Sequence, residues 1–315
     1  MAQQRIFFAT DIHGSETCFR KFLNAAVAYD CRAIILGGDI TGKQLVPIVR
    51  HPRGWEVSEG GVARVMETEE ARDEAVRRAR ASGGYPAFFT VEERERLVAD
   101  KAYREARFLE AILEVIRAWA DLAVERLQPL GIECVINLGN DDDPEVARAL
   151  RESSWVRFAE DDVYDLNGVE VVSWGWSNRT PWDSPREQDE DALEESILAA
   201  AAKARDPEHA LFNLHCPPYN SGLDIAPAIT DDFKVRTRGG APMTIPVGST
   251  AVRRVIEQVQ PLVGLHGHVH DSRGACKLGR TLCINPGSDY PHGILRGVIL
   301  SIKNGKVKGW TMSNG

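Results

Sequence analysis

Seven side chains that commonly bind metals recur along the 315-residue sequence in short motifs. Asp11 and His13 lie in DIHG, Asp39 in GGD, Asn140 in GND, His215 in LHCPP, and His268 and His270 in GHVH. Carboxylate oxygen, amide oxygen and imidazole nitrogen without a thiolate form a mixed donor set. Such a set suits Mn, Fe, Zn or Co better than it suits a cysteine-type structural zinc. Taken singly, Asp-x-His, Gly-Asp and Gly-Asn are weak signals that chance supplies in many sequences. Two imidazoles at i and i+2 in a glycine loop, His268 and His270, seldom serve a core. The ordered series is the strong observation, because nearly every member stands at or just beyond the C-terminal end of an apolar run. A parallel sheet gathers such ends at one edge.

The positioning elements follow from periodicity. RIFFAT leads into DIHG, and AIILGG (33–38) delivers Asp39; Phe19, Phe22, Leu23, Ala26 and Val27 between them have helical spacing. Strand, helix, strand is a βαβ opening. From about Thr41 to Gly131 no member of the set occurs. There, HPRGWEVSEGG (51–61) precedes a charged helix expected from about Val62 to Ala81 and ended by SGGYP (82–86). Thr90 with Glu93 predicts a capping box opening a second, long helix that runs to about Gln128. The segment 41–131 is therefore expected to be a helical insertion, its last part able to serve as the domain's own crossover helix. Strands resume at IECVINLG (132–139), and Asn167-Gly168 predicts a type I′ hairpin. An acidic helix over 187–204 leads to LFNLH, and Ser249 is the expected cap of a helix over 250–258. LVGLHGHVH and three closing strands complete the chain, the last two joined across Asn304-Gly305.

The succession DIHG, GGD, GND, LHCPP, GHVH resembles the calcineurin-like metallophosphoesterases, closest to their small bacterial and archaeal members, and NPGS at 285–288 is similar to those members too. The resemblance touches almost the whole chain outside 41–131. It implies one domain over 1–315, an α/β fold built as a four-layer αββα sandwich with a helical insertion, and metals at one sheet edge. It implies one ion held by Asp11, His13, Asp39 and His270 and a second by Asp39, Asn140, His215 and His268, with Asp39 bridging and Mn favoured. The implied reaction is hydrolysis of a phosphate ester by a metal-activated hydroxide. Two divalent ions about 3.5–4 Å apart clamp a phosphoryl group and lower the pKa of a bridging water. The family motif usually reads Gly-Asn-His, its histidine acting near the leaving oxygen. Here Asp141 follows Asn140. A carboxylate there repels a phosphate dianion unless it is protonated or turned away, which favours a phosphodiester over a monoester. The candidates for the leaving-group acid are a protonated Asp141, His292 of the PHG segment, or a metal-bound water.

Bulk properties narrow the partners. A net charge of −8 and a pI near 5.6 weigh against a nonspecific nucleic-acid binder. Arg72, Arg77, Arg78 and Arg80 alternate with glutamates and read as a solvated helix, so a nuclease, which needs a basic track, is a lesser alternative. A non-catalytic interaction module is another, supported by the missing histidine and opposed by the complete ligand set. The opening MAQQRIFFAT lacks the pattern of a signal peptide, and no apolar run approaches the about 20 residues of a membrane span. Six cysteines without a CxxC pair read as buried thiols in a reducing compartment, so a cytoplasmic, soluble enzyme is expected. Its partner would be a small or medium phosphoester, with no membrane, and the insertion offers a lid or a surface for self-association. Among the remaining features, His266 reads as a strand histidine satisfied by backbone, and Cys216 as a buried thiol. Asp142 and Asp143 read as caps of the helix after Pro144, and Trp174, Trp176 and Trp182 as core or loop anchors, with base stacking of a nucleotide the lesser alternative.

Overall fold

β1 (Gln4–Ala9), α1 (Glu16–Ala28) and β2 (Ala33–Gly37) form the expected βαβ unit, with β1 and β2 parallel. The computed structural model describes residues 4–59, 61–160 and 162–315. Next come β3 (Gln44–His51), β4 (Gly54–Glu59), β5 (Val62–Met66), α2 (Glu69–Ala81), β6 (Gly84–Phe89), α3 (Val91–Ala99) and α4 (Lys101–Leu127). Then follow β7 (Glu133–Asn137), α5 (Glu145–Arg151), β8 (Val156–Arg157), β9 (Tyr164–Leu166), β10 (Val169–Trp174), β11 (Ser177–Asn178), β12 (Glu187–Gln188) and α6 (Glu190–Ala201). The remainder comprises β13 (Leu211–Leu214), β14 (Ile225–Pro227), β15 (Thr237–Arg238), β16 (Ala241–Pro242), β17 (Thr244–Pro246), α7 (Thr250–Val259), β18 (Val263–Leu265) and β19 (Gly274–Leu278). β20 (Thr281–Asn285), β21 (Arg296–Lys303) and β22 (Lys306–Asn314) close the chain.

Two six-stranded sheets, β22-β21-β1-β2-β7-β8 and β19-β20-β18-β13-β10-β9, carry the fold. Their central strands are parallel; antiparallel strands complete both edges of the second sheet and one edge of the first, whose other edge strand, β8, is parallel. Side-chain alternation decides the layers. Ile6, Phe8, Ile35 and Val135 of the first sheet meet Val171, Leu211, Leu265 and Ile284 of the second in the central core. The intervening Phe7, Ile34, Leu36 and Ile136 point outward onto α1, α4 and α5, where Phe19 stacks on Trp119 at 4.3 Å. On the far side Val172, Phe212 and Leu214 pack against Leu193 and Ile197 of α6 and Val252 and Ile256 of α7. This is the αββα sandwich expected. Among the described residues no helix is long and apolar enough to cross a membrane.

The segment between Asp39 and Asn140 departs from the sequence reading. It is not helical throughout, because β5-β4-β3-β6 form a four-stranded sheet. Residues 62–66, expected to be helical, pair with β4, and 84–89, which begin inside the helix stop expected at 82–86, pair in parallel with β3. The apolar residues explain this: Ile48, Val57 and Met66 bury against Ala75 of α2, while Val49 and Phe89 bury against Leu97 of α3. α2 starts at the cap Thr68, whose side chain accepts from the Ala71 N–H at 3.2 Å. The long helix is also broken. Asp100 has φ −118° and ψ 101°, ending α3 while its carboxylate caps α4 through Tyr103 N–H at 3.0 Å. The C-terminal part of α4 is the crossover helix, its Ile112, Ile116, Trp119 and Ala123 lying in the core of the first sheet.

The capping box of α3 forms as read, with Thr90 N–H donating to Glu93 at 2.8 Å and Glu93 N–H to Thr90 Oγ1 at 3.2 Å. Thr90→Ala is expected to raise amide exchange in α3 by an amount equivalent to about 1 kcal/mol, with no change in the sandwich amides. Unaltered exchange in α3 would show that the cap contributes nothing there.

Candidate metal centre

Each metal-type residue sits where a strand of the sandwich gives way to a loop. Asp11 and His13 follow β1, Asp39 follows β2, Asn140 follows β7, His215 follows β13, and His268 and His270 follow β18. The parallel strands bring these loops to one edge, as expected. Asp11 (φ 54°), His13 (φ 40°), Asp39 (φ 48°) and His268 (φ 65°) adopt left-handed backbone conformations that L-residues avoid, at a cost of order 1–3 kcal/mol each. Glycines let the loops converge. A Cβ on Gly139 would lie 2.1 Å from Asp39 Oδ1, and one on Gly267 2.2 Å from Asp11 Oδ2.

The side chains form two groups. In the first, His270 Nε2 lies 3.3 Å from Asp11 Oδ1 and 3.0 Å from His13 Nε2. In the second, His215 Nε2 lies 3.4 Å from Asp39 Oδ2, and His268 Nδ1 lies 2.7 Å from Asn140 Oδ1. Within each of the sets Asp11–His13–His270 and Asp39–His215–His268, one ligand atom per residue falls within 4.8 Å of the others. Asp39 Oδ2 is also 3.8 Å from His13 Nε2, so this carboxylate faces both groups. Asp11, His13, Asp39, Asn140 and His215 are buried, while His268 and His270 are half-buried at the mouth.

The residues fit divalent cations. His215 Nε2 and His13 Nδ1 are buried without a hydrogen-bond partner, a costly state for an imidazole nitrogen unless a cation takes its lone pair. Burial opposes ionisation of Asp11, yet the hydrogen bond to His270 and the neighbouring His215 bring its pKa down to about 2. Burial likewise opposes a charged His215, but Asp39 and Asp11 raise it to about 9. Burial and the charge of His215 lower His268 to about 4. Without metal, these neighbouring charges favour the carboxylate forms of Asp11 and Asp39 and the protonated form of His215, which offsets part of their charge. A divalent ion binding through that nitrogen displaces the proton.

Residues around the ligands fix their orientation. Thr10 Oγ1 donates to Asp11 Oδ2 at 2.7 Å, and His268 N–H donates to both Asp11 oxygens at 3.1 Å. Ser288 of NPGS donates to the Asp11 carbonyl at 2.6 Å, and Asn285 donates to the carbonyls of Gly267 and Val269 at 3.3 and 3.0 Å. Asp142, read as a cap, does something else. It is fully buried and accepts from the N–H groups of Gly139, Ile40 and Thr41 at 2.7, 3.1 and 2.8 Å, joining the two loops that carry Asp39 and Asn140. Asp143 does bond the first turn of α5, accepting from Glu145 N–H at 2.8 Å. Arg186 donates its backbone N–H to the Asn140 carbonyl at 3.1 Å and its guanidinium to the Gly139 carbonyl at 3.0 Å, and pairs with buried Glu160.

Asp141 stands beside the centre, its N–H donating to Asp39 Oδ1 at 3.0 Å and its carboxylate grouping with His13 and Asp39. Its charge is balanced by an ion pair with Lys43 and a 2.7 Å hydrogen bond from Ser184. His292 belongs to none of these groups; its exposed ring bonds Asp289 at 2.6 Å. Tyr290, two residues earlier, packs on His13 at 4.8 Å and His270 at 6.2 Å. Sequence reasoning passed over Tyr290, Lys43 and Arg186, since none falls in a spaced motif. His266 matches its reading, with Nδ1 at 2.9 Å from the Leu214 carbonyl, and Cys216 is a buried thiol. Trp182 differs, being 60% exposed.

The chain is an α/β four-layer sandwich whose paired Asp/His groups at one edge could hold metal ions. No protein-family model matches the chain. It is similar to an uncharacterized protein of Methanocaldococcus jannaschii, MJ1162, at 28% identity over 176 residues, 55% of this chain and 70% of that one. Among solved structures, TT1561 of Thermus thermophilus is 14% identical with a TM-score of 0.54, covering 100% of this chain and 99% of its own. Another crystal structure is 17% identical with a TM-score of 0.57 over 99% of each chain. Likeness at these identities is likeness of fold.

Proposed function

We propose that this chain is a dinuclear metal-dependent hydrolase of phosphate esters, with phosphodiesters favoured and monoesters accepted. The observation that carries the reading is the pair of Asp/His groups, both faced by buried Asp39, beside an open cleft. Asp11, His13, Asp39 and His270 would hold one ion and Asp39, Asn140, His215 and His268 the other, Mn favoured over Fe, Zn or Co. When bound, the ions supply charge to clamp the phosphoryl group and acidify water. Asn140 contributes an uncharged oxygen, which keeps the total negative charge low. Lys43, ion-paired with Asp141 in the cleft beside the centre, would be the ammonium nearest a leaving oxygen. A diester brings one negative charge where a monoester brings two, which suits a site with Asp141 at its rim. Six free thiols, five of them buried, fit a reducing cytoplasmic setting.

Elemental mass spectrometry coupled to hydrolysis of bis(p-nitrophenyl) phosphate and p-nitrophenyl phosphate tests this. The expected result is about two transition-metal ions per chain and Mn-stimulated turnover, faster on the diester. Two bound ions with no turnover under any of the four metals would leave an interaction module instead.

A further inference from the structure

The cleft beside the metal centre carries side chains that phosphoryl chemistry does not use. About 730 Å³ in volume, it runs between α4 and the loop 182–185, from Lys43 and Asp141 at the centre to Trp182. Such a volume is in the range of small-molecule sites. Trp182 is 60% exposed and lies nearly parallel to Phe233 at 4.8 Å and 19°, and Phe233 is itself 51% exposed. An indole backed by a second ring and open to solvent is a stacking platform for a planar aromatic group. The cleft wall also carries Glu105, Asp143 and Asp183 against Lys43, the one cation among its described residues. Carboxylates accept hydrogen bonds from sugar hydroxyls. Their excess charge rejects a second phosphate or a nucleic-acid strand, either of which needs cations along its path.

Resting on the phosphoester reading, the geometry points to a nucleoside as the group that occupies this cleft, its base on Trp182, its sugar among the carboxylates and its phosphate side beside Lys43. Trp182 is then a specificity residue that the metal ligands do not include.

Calorimetric titration of the metal-loaded protein with AMP, ribose 5-phosphate and inorganic phosphate tests the site. AMP is expected to bind roughly tenfold or more tightly than ribose 5-phosphate, as base stacking supplies. Trp182→Ala should abolish that preference, while Trp182→Phe keeps most of it; an exposed position makes both variants tolerable to the fold. The preference should persist after EDTA treatment, since the base contacts no metal ligand. Equal affinity for AMP and ribose 5-phosphate, an unchanged preference in Trp182→Ala, or tighter binding of a single-stranded oligonucleotide would overturn the inference. Absence of diester turnover with the Trp182-dependent preference intact would remove the hydrolase reading and leave the nucleoside site standing.

Discussion

Asp39→Asn is expected to strip both metal ions and to lower kcat on a diester by roughly 10³-fold or more, several kcal/mol of lost charge stabilisation. Asp39 is 2% exposed, and its Oδ2 lies 3.4 Å from His215 Nε2 and 3.8 Å from His13 Nε2, so one oxygen faces both halves of the centre. The amide retains an oxygen to accept from Asp141 N–H but loses the charge that, on the proposed reading, would hold two cations together against their repulsion. His215 also loses the first of the charges that raise its pKa. The fold should survive, as judged by an unchanged far-ultraviolet circular dichroism spectrum. Metal content by elemental mass spectrometry and kcat are the measurements. A variant that keeps two ions and full turnover would remove Asp39 from its assigned place.

Arg186→Met is expected to destabilise the protein by about 3–5 kcal/mol, the cost of removing the guanidinium that pairs with a buried carboxylate. Arg186 and Glu160 are 4% and 7% exposed, and Glu160 Oε1 also accepts from Gly175 N–H at 3.0 Å. The same guanidinium holds the Gly139 carbonyl and lies over the Trp176 ring at 5.3 Å. Loss of these contacts loosens the loop that presents Asn140, so metal affinity should fall about 10–100-fold. Urea unfolding and metal titration measure the two effects. Adding Glu160→Gln to the variant should restore a large part of the stability because the buried negative charge that faced the guanidinium is gone. A single-variant loss under about 1 kcal/mol would show that Glu160 is satisfied in another way.

The sandwich was legible because its signals are local and repeat. The continuous apolar runs in IECVINLG and RIFFAT, the Asn167-Gly168 turn and the cap at Ser249 each set one element, and the motif order set the edge at which they meet. The insertion was less legible. Val62 to Met66 and Gly84 to Phe89 are short and lie against Gly and Pro, so only their pairing partners, 40 residues apart between β3 and β6, make them strands. The Asp100 break shows nothing in periodicity; it depends on one carboxylate that caps the next helix. At the metal centre, ligands announce themselves by type and spacing, whereas supporting residues do not. Asp142 looked like a cap because it precedes Pro144, and only tertiary contact with Ile40 and Thr41 reveals its use. Lys43 and Asp141 are 98 positions apart and acquire meaning as a pair only when folded.

α4 joins two duties in one rod of 27 residues, roughly 40 Å long. Its first turns line the cleft at Glu105 and Phe108, and its last ones fill the sheet's outer core at Trp119 and Ala123. On the proposed reading, selectivity is thereby anchored to the chassis. Changes at 105–109 can retune what the mouth accepts while the buried end keeps register, whereas excising the whole of 41–131 as a cassette would strip one flank of the sheet and unfold the remainder.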